Sequence, residues 1–309
     1  MIRRALLTAD TSAATAASGS AGPIASQWPP VGAFLRVHGK RVHYWTSGAG
    51  PLVVLVHGAS GNLRDWTFAL APRLAQTHRV VAFDRPGSGY SERLDRDGWV
   101  PVRQADHLRA AHCQITDDDP IVVGHSWGGA LAMAWALDAA DRTRGAVVLS
   151  GATMPWGGAL STHYSLLASR FIGPLAARMF SSLATEARAN HAIADIFAPQ
   201  QTPDGYGAHI GIPLATRPTT LRHNAQDLVH LNTALTEQSR RYPKLDLPVE
   251  VFHGSADTIV PADIHAKAMA HLLPNARLTV LDGIGHMPHH VATSQTLAAI
   301  SRLSGTPVT

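Results

Sequence analysis

The hydrophobic positions of this chain fall into short continuous runs that alternate with longer amphipathic stretches. The apolar runs lie at residues 51–56, 79–83, 121–123, 145–151, 248–254 and 277–281. Short runs without polar interruptions are typical of strands that are covered on both faces, as in the centre of a parallel sheet. The pattern therefore predicts a largely parallel sheet.

Between the apolar runs are stretches with helical periodicity, at residues 63–76, 101–112, 127–140 and 262–273. Near the start, residues 33–37 and 41–46 flank His38-Gly39-Lys40, which predicts a β-hairpin. Regular alternation of strands and helices is the pattern of a doubly wound sheet. We therefore expect an α/β fold with helices on both faces of a mostly parallel sheet.

The alternation stops between residues 152 and 242. Prolines and glycines interrupt the helical patterns of this stretch, which lie at residues 164–180, 184–197 and 220–240. A helical insertion at this point of the chain would lie over the strand ends as a lid that excludes water and shapes a pocket. We expect an α/β core of residues 31–151 and 243–309, and a helical cap of residues 152–242.

The first thirty residues differ from the rest in being rich in Ala, Ser, Thr and Gly. They lack hydrophobic periodicity, so residues 1–30 are predicted to form a flexible arm. Residues 1–7 begin like a targeting signal, but Thr8 and Asp10 end the apolar run too early for a secretory signal. A cleavable or surface-binding leader is left open as an alternative.

Composition narrows the classes of function. The 309 residues are 45% hydrophobic and 16% charged, as in soluble globular proteins, and no apolar run reaches the length of a membrane span. The net charge of +4 is dispersed, so we expect no nucleic-acid partner. Because Cys113 is the only cysteine, an intrachain disulfide and a cysteine metal cluster are excluded. We interpret the chain as cytoplasmic, and its oligomeric state stays open.

The candidate chemistry centres on Gly124-His125-Ser126-Trp127-Gly128, which directly follows the apolar run at 121–123 and precedes a helical stretch. A strand that turns into a helix within one or two residues strains the serine and requires small neighbours. The helix that follows directs its N-terminal N–H groups towards the place where an oxyanion would form. The motif predicts Ser126 as a nucleophile for acyl transfer.

Two further residues follow predicted strands. Asp257 comes after the run at 248–254, and His286 comes after the run at 277–281. The carboxyl ends of parallel strands meet at one edge of a sheet, where such folds place catalytic groups. A serine needs an imidazole to take its proton, and the imidazole needs a carboxylate to orient it. We predict Ser126, Asp257 and His286 as a catalytic triad.

The oxyanion would be bound by two backbone N–H groups. The first belongs to Trp127, directly after the nucleophile, and the second is expected at Ala59, in the glycine-rich loop after the strand at 51–56. Candidate substrate-binding residues are His57, Trp156 and Tyr164. For the two aromatic residues, packing in the core is the stronger alternative. His57 borders the proposed site and is expected to act as a hydrogen-bonding or packing group rather than as the base.

Two other polar features have simpler interpretations. Asp84 opens a turn rich in glycine and is interpreted as a cap for nearby backbone N–H groups. The sequence His286-Met-Pro-His289-His290 resembles a metal motif, but Pro288 breaks its helical spacing and no acidic or cysteine ligand is seen to converge. We therefore expect neither a metal ion nor another cofactor.

Taken together, the motifs resemble the α/β-hydrolase superfamily, in the capped branch that includes esterases, epoxide-hydrolase-like proteins and proline-iminopeptidase-like enzymes. The resemblance covers residues 34–300. It rests on His57-Gly58, Asp84-Arg85-Pro86-Gly87-Ser88-Gly89, Gly124-His125-Ser126-Trp127-Gly128-Gly129, Gly254-Ser255-Ala256-Asp257 and Gly285-His286. It implies an eight-stranded sheet.

The resemblance also implies roles for these residues. Ser126 would be the nucleophile, His286 the general base and then acid, and Asp257 its orienting carboxylate. The oxyanion hole would be formed by Ala59 and Trp127. No cofactor is implied.

Epoxide hydrolases of this branch have an aspartate at the nucleophile position, so Ser126 favours acyl transfer to water. The expected substrate is a small molecule such as a carboxylic ester or lactone. Hydrolysis of a carbon-carbon bond remains open, as does a ligand-binding protein that keeps the fold. An iminopeptidase also remains open, and it would need carboxylates in the cap, where the candidates are Glu186, Asp195, Asp204, Asp227 and Glu237.

Overall fold

The computed structural model describes residues 23–158 and 160–306. The strands are β1 (Ala33–Val37), β2 (Lys40–Ser47), β3 (Leu52–Val56), β4 (Arg79–Phe83), β5 (Ile121–His125), β6 (Gly145–Leu149), β7 (Val249–Gly254) and β8 (Ala276–Leu281). Within the described residues they form one eight-stranded sheet, in the order β1-β2-β4-β3-β5-β6-β7-β8. The pairs β1-β2 and β2-β4 are antiparallel, and all other pairs are parallel. The predicted fold class is therefore confirmed.

Helices lie before, between and after these strands. They are α1 (Pro23–Gln27), α2 (Arg64–Phe68), α3 (Leu70–Leu74), α4 (Pro101–Ile115), α5 (Trp127–Asp138), α6 (Thr162–Ala168), α7 (Gly173–Leu183), α8 (Glu186–Phe197), α9 (Tyr206–Ile210), α10 (Ile212–Ala215), α11 (Pro218–Ser239), α12 (Ala268–Leu272), α13 (Pro288–Val291) and α14 (Thr293–Ser304). A π-helical turn at Asp263–Lys267 precedes α12.

Helices cover both faces of the sheet because successive side chains of a strand point to opposite sides. In β3, Val54 belongs to an apolar cluster with Leu108 of α4. The next residue, Leu55, belongs to a cluster on the other face with Trp66 of α2 and Ile300 of α14. The central strands are thereby fully buried, and only the loops that follow them are placed to meet a ligand.

Helices α6 to α11 form an insertion between β6 and β7, within residues 152–242. The longest of them, α11, is anchored to the core because Gln238 Nε2 donates to the Ala130 carbonyl oxygen of α5 at 3.0 Å. Neither α11 nor any other helix of the described residues has the length and hydropathy needed to cross a bilayer.

Two of the predicted helices are wrong in detail. The helix expected at 63–76 is divided into α2 and α3 at Ala69, whose φ of −143° is not helical. Pro72 accounts for the division, because its ring would clash with the carbonyl of the residue four positions earlier. The helix expected at 164–180 is divided into α6 and α7, and Pro174 in the first turn of α7 has the same effect.

The prediction of a flexible arm over residues 1–30 is corrected for its last part, and residues 1–22 lie outside the described residues. Residues Pro23–Gln27 form α1. Trp28 then contacts the insertion, since its indole Nε1 donates to the Ala208 carbonyl oxygen at 2.7 Å. The Tyr90 hydroxyl also donates to the Trp28 carbonyl oxygen. Bulky apolar and hydrogen-bonding groups at the end of the arm therefore dock it onto both the core and the insertion.

Candidate active site

Ser126 occupies a strained turn between β5 and α5. Its φ of 53° and ψ of −120° are unfavourable for a residue with a side chain. The turn is also tightly enclosed, because a Cβ on Gly128 would lie 2.3 Å from the Val56 carbonyl oxygen. Every residue from 120 to 136 is buried except Ser126. The turn therefore leaves the serine accessible at the carboxyl edge of the sheet.

Asp257 and His286 are joined by a hydrogen bond, with 2.8 Å between His286 Nδ1 and Asp257 Oδ2. Both residues are buried. A carboxylate only accepts, so Nδ1 carries the proton and Nε2 is the basic nitrogen of the neutral ring. Among the described residues, no hydrogen bond is made to His286 Nε2. The pair thus has the arrangement that a general base requires.

Asp257 has a second imidazole neighbour that sequence reasoning missed. His253 Nε2 lies 3.2 Å from Asp257 Oδ2 and 2.6 Å from the Val260 carbonyl oxygen. Since the carbonyl can only accept, His253 Nε2 carries a proton that also faces the carboxylate. Burial acts to raise the pKa of Asp257, but the hydrogen bonds from His253 and His286 outweigh it and hold this pKa well below its usual range. Asp257 is therefore a carboxylate.

His125 connects the serine turn to the histidine loop. Its Nε2 donates to the His286 carbonyl oxygen at 2.9 Å, and the two rings are 4.9 Å apart between centroids. Burial, followed by the neighbouring histidines, lowers the pKa of His125 well below its ordinary value, so the ring is neutral. Within the described chain, no hydrogen bond joins Ser126 to His286. In enzymes without substrate this bond is often long and tightens when the substrate binds.

The loop after β3 lies directly against the serine. A Cβ on Gly58 would be 3.0 Å from Ser126 Cβ. The Gly58 carbonyl oxygen accepts hydrogen bonds from His57 Nδ1 at 2.8 Å and from Arg85 Nη2 at 3.2 Å. In a trans peptide the C=O and the following N–H point in opposite directions, so these bonds fix the direction of the Ala59 N–H. Neither this N–H nor that of Trp127 has an acceptor among the described residues.

Arg85 holds this loop from inside the protein. Its side chain is fully buried and stacks 4.1 Å from the Trp127 ring. Besides Gly58, its Nε donates to the His57 carbonyl oxygen at 3.1 Å, and its Nη1 donates to Asp227 Oδ2 at 2.8 Å. A planar guanidinium can make these bonds at the same time because its donors are fixed in a fork. Arg85 therefore ties the two parts of the candidate oxyanion hole to the insertion.

Helix α11 supplies the other half of this attachment. Asn224 Oδ1 accepts from the Ser60 N–H at 2.7 Å, and the Asp227 carbonyl oxygen accepts from Trp127 Nε1 at 3.2 Å. Asp227 also accepts from Arg93 at 2.6 Å, so its buried carboxylate lies between two guanidinium groups. The position of α11 is consequently coupled to the loop beside the serine.

The substrate-binding role predicted for His57 is not compatible with its position. The ring is fully buried, and both nitrogens are occupied, by the Gly58 carbonyl oxygen and by the Arg85 N–H at 3.0 Å. Burial, and then the charge of Arg85, lowers the pKa of His57 to about 4. His57 is thus a neutral ring that shapes the loop, which agrees with the alternative considered from the sequence.

The two aromatic candidates lie in different places. Trp156 is half-buried against the core cluster of the α4–α5 face, and its backbone N–H donates to Asn232 Oδ1 of α11 at 3.0 Å. Tyr164 packs in the small core of the insertion with Leu167 and Ala225. Neither side chain has a hydrogen bond to a triad residue within the described chain. Tyr164 therefore follows the packing alternative, and only Trp156 borders the core.

Asp65 corrects the expectation that no acidic residue converges on the histidines near the C-terminus. Its carboxylate oxygens lie 3.1 Å from His289 Nε2 and 2.7 Å from His290 Nε2, and the ligand atoms of this group lie within 4.8 Å of one another. Tyr206 also donates to Asp65, at 2.8 Å. Because both histidines hydrogen-bond to Asp65 and the three side chains are enclosed, we interpret the cluster as a structural network. Local sequence patterns do not indicate this cluster, since Asp65 lies 224 residues before His289.

Asp84 has the capping role expected from its position. Its oxygens accept from the backbone N–H groups of Leu63 and Tyr90 at 2.7 and 2.8 Å, and from His43 Nδ1 at 2.6 Å. Arg85, its neighbour in the same motif, was overlooked as a functional residue. An arginine directly after a buried strand was the available signal, because a buried charge must find a partner.

Comparison with known proteins places this geometry in a wider context. Residues 51–293 match a family model described as alpha/beta hydrolase fold. An uncharacterized protein of Mycobacterium tuberculosis is 24% identical over 301 residues, which are 92% of this chain and 84% of that protein. A 2-hydroxymuconate semialdehyde hydrolase of Pseudomonas putida is 27% identical over 263 residues, which are 84% of this chain and 89% of that enzyme.

Solved structures share the fold. An alpha/beta hydrolase fold protein from Burkholderia ambifaria superposes with a TM-score of 0.71 at 23% identity, and the match covers 87% of this chain and 96% of that one. At this identity the likeness concerns the architecture of the sheet and its helices. The family match over residues 51–293 includes the strands that precede Ser126, Asp257 and His286.

Proposed function

Because this chain belongs to the alpha/beta hydrolase fold family, we propose that it is a serine hydrolase that cleaves a carboxylic ester, lactone or related acyl compound through an acyl-enzyme. The observation that carries the proposal is the hydrogen bond from His286 Nδ1 to Asp257. It leaves the unprotonated Nε2 as the base, on a loop that is bonded to the residue next to Ser126.

In the first half-reaction, His286 Nε2 takes the proton of Ser126 as the serine Oγ forms a bond with the substrate carbonyl carbon. The negative charge that develops on the carbonyl oxygen is stabilised by the N–H groups of Ala59 and Trp127. His286 then gives its proton to the leaving alcohol, and the bond between carbon and alcohol oxygen breaks. Asp257 stabilises the imidazolium that exists between the two transfers.

In the second half-reaction, a water molecule takes the place of the alcohol. His286 Nε2 accepts a proton from the water as its oxygen attacks the acyl carbon, and the same two N–H groups stabilise the oxyanion. The bond from the acyl carbon to Ser126 Oγ then breaks, and the proton returns to the serine. No redox step and no cofactor enter this scheme.

We further propose that the insertion acts as the cap of this site. The attachment of α11 to Ser60 and Trp127 supports this role, because a helix bonded to both sides of the oxyanion hole borders any acyl group bound there. A cap of this kind limits access of bulk water and selects substrates by size. The substrate would then be a small molecule.

The test is hydrolysis of p-nitrophenyl esters from acetate to dodecanoate by the wild type and by Ser126→Ala. We expect turnover in the wild type and a loss of roughly four to six orders of magnitude in kcat for the variant. A fluorophosphonate should label the wild type and leave the variant unlabelled. A folded wild type that reacts with neither reagent would contradict the proposal.

A second candidate is hydrolysis of a carbon-carbon bond. It is favoured by the similarity to the 2-hydroxymuconate semialdehyde hydrolase of Pseudomonas putida over 84% of this chain. The rate at which 2-hydroxymuconate semialdehyde loses its absorbance when incubated with the protein discriminates this activity from ester hydrolysis. A higher kcat/KM for this compound than for every ester would favour the second candidate, and the reverse order would favour the first.

An iminopeptidase activity gains no support from the insertion. The insertion contains five acidic residues, which are Glu186, Asp195, Asp204, Asp227 and Glu237. Four of them are exposed, and the fifth, Asp227, is buried between Arg85 and Arg93. A carboxylate that already faces two guanidinium groups has little capacity to bind a substrate ammonium.

A further inference from the structure

Helix α7 of the insertion and the two residues before it present large apolar side chains to solvent. Phe171 is 89% exposed and Leu175 is 72% exposed. Three more apolar residues are at least half exposed, namely Ile172, Met179 and Leu183. Since Leu175, Met179 and Leu183 recur every four residues, they lie along one face of α7. We call these five residues the apolar stripe.

The buried face of α7 is made mostly of small residues, with Phe180 partly buried beside them. Gly173, Ala176 and Ala177 are buried, and the two alanines share a cluster with Leu167 of α6 and Ala225 of α11. A helix that only packs onto its own protein places its large apolar residues inward and its polar residues outward. In α7 this order is reversed, so the stripe is available for something outside the described chain.

The formal charges within the segment that carries the stripe are of one sign, and the first carboxylate after it is Glu186, at the start of α8. Between residues 160 and 185 the sequence contains two arginines, Arg170 and Arg178, and no Asp, Glu or Lys. Both arginines are exposed. Large apolar side chains flanked by arginines, without carboxylates, are the composition of helices that lie in the interface of a membrane carrying anionic lipids.

We propose that the apolar stripe docks this protein onto an anionic lipid surface, with the stripe in the acyl region and Arg170 and Arg178 at the headgroup phosphates. The charges favour lipid over a second copy of the chain. A two-fold symmetric contact would place the segment of residues 160–185, which has two arginines and no carboxylate, against itself. The proposal concerns binding only and is independent of the reaction proposed above.

The test is co-sedimentation of the full-length protein with vesicles of phosphatidylcholine, with and without phosphatidylglycerol. We expect the wild type to partition onto the anionic vesicles. Combining Phe171→Ser with Leu175→Ser should lower the partition coefficient by at least ~10-fold on these vesicles. Combining Arg170→Glu with Arg178→Glu should lower it by ~10-fold on anionic vesicles while leaving any binding to pure phosphatidylcholine unchanged.

The matched control combines Leu272→Ser in α12 with Val280→Ser in β8. These substitutions remove two exposed apolar side chains that lie outside the insertion. This variant should sediment like the wild type. A wild type that stays in the supernatant with both kinds of vesicle would overturn the proposal. Equal losses of vesicle binding in the control and in the Phe171→Ser, Leu175→Ser variant would also overturn it. Binding by the latter variant that equals that of the wild type would do the same.

Sedimentation velocity without vesicles tests the competing occupant. A wild type that forms dimers, together with a monomeric Phe171→Ser, Leu175→Ser variant and no vesicle binding, would assign the stripe to self-association and overturn the lipid proposal. A wild type with the same sedimentation coefficient as the variant, together with vesicle binding, supports it. Neither readout requires a substrate, so a failure of the proposed hydrolysis would not affect the result.

Discussion

His286 Nδ1 lies 2.8 Å from Asp257 Oδ2, and the same carboxylate oxygen lies 3.2 Å from His253 Nε2. Asp257 is therefore held by two imidazoles, only one of which faces the serine turn. Because hydrogen bonds from both rings lower its pKa, Asp257 stays ionised through the neutral pH range. A permanent carboxylate keeps His286 in the tautomer that leaves Nε2 unprotonated.

Replacing this carboxylate by an amide should impair catalysis without unfolding the protein. In Asp257→Asn the amide nitrogen can donate to His286 Nδ1, which favours the tautomer with the proton on Nε2. We expect kcat on the best ester to fall by roughly 10³- to 10⁴-fold, with a change in KM of less than about threefold. Initial rates of ester hydrolysis by the purified protein, measured over a range of substrate concentrations, give both kcat and KM.

A variant at the neighbouring histidine serves as the comparison. His253→Gln removes the second imidazole but leaves the His286 bond in place, so its kcat should fall by less than about tenfold. Equal losses in the two variants would show that Asp257 acts through the local fold and not through His286. Circular dichroism and the urea midpoint verify that both proteins are folded.

The tight turn at the serine makes a prediction about stability. A Cβ on Gly128 would lie 2.3 Å from the Val56 carbonyl oxygen and 2.6 Å from the His57 carbonyl oxygen. The first atom belongs to β3 and the second to the loop directly after it, and both are buried backbone that has little room to move aside. We expect Gly128→Ala to lower the free energy of unfolding by more than about 3 kcal/mol or to prevent folding altogether.

Gly157→Ala is the matched control for this clash, because a Cβ at that position would meet no atom of residues 23–158 and 160–306 within 4 Å. Its free energy of unfolding should stay within about 0.5 kcal/mol of the wild type. Urea unfolding followed by fluorescence measures both variants. A Gly128→Ala protein as stable as Gly157→Ala would show that α5 can shift away from β3.

Local pattern was sufficient to predict most of the fold and to select the residues of the candidate site. The strand, turn and helix around Ser126 are encoded within a few residues, since a buried run, two glycines and an apolar helix each have their own signal. The position of Asp257 and His286 after strands follows in the same way. Parallel pairing then brings the ends of those strands together.

The contacts that hold the site are encoded differently. Arg85 and Asp227 are 142 residues apart, and neither sequence neighbourhood identifies the other. The same is true of Asp65 and the histidines that surround it. Propensity and periodicity describe one segment at a time, whereas a buried charge is placed by the partner that neutralises it, and that partner depends on how the insertion packs on the core.

Buried histidines predict a loss of stability in mild acid. The histidines whose pKa is lowered to about 4 are His57, His107, His265 and His289. Burial is the main cause in each case. In the unfolded chain each would bind a proton near its ordinary pKa of 6.5, so protonation favours unfolding. Stability is therefore greatest above pH 6.5 and decreases as the pH falls towards 4.

His57 provides the specific test of this linkage. Its shift from 6.5 to about 4 corresponds to a contribution on the order of 3 kcal/mol that is present at pH 7 and lost by pH 4. His57→Gln should give a shallower dependence of unfolding free energy on pH, by about one proton between pH 6 and 4.5. Replacing the exposed His271 by Gln should leave the slope unchanged, and equal slopes in the His57→Gln protein and the wild type would contradict the assignment.

The last prediction separates the two roles of the buried ion pair. Arg85 and Arg93 both donate to Asp227, at 2.8 and 2.6 Å, but only Arg85 also holds the carbonyl oxygen of Gly58. A lysine keeps the charge next to Asp227 and cannot make the forked set of bonds. In Arg85→Lys the Gly58–Ala59 peptide should lose one of the two bonds that orient it, and kcat should fall by roughly 10- to 100-fold because one oxyanion donor is misplaced. Arg93→Lys alters the same carboxylate without touching the loop, so its kcat should change by less than about twofold. If the two variants lose activity equally, the ion pair supports the site only through the stability of the insertion; if Arg85→Lys alone is slow while both proteins unfold at similar urea concentrations, Arg85 positions the Ala59 N–H.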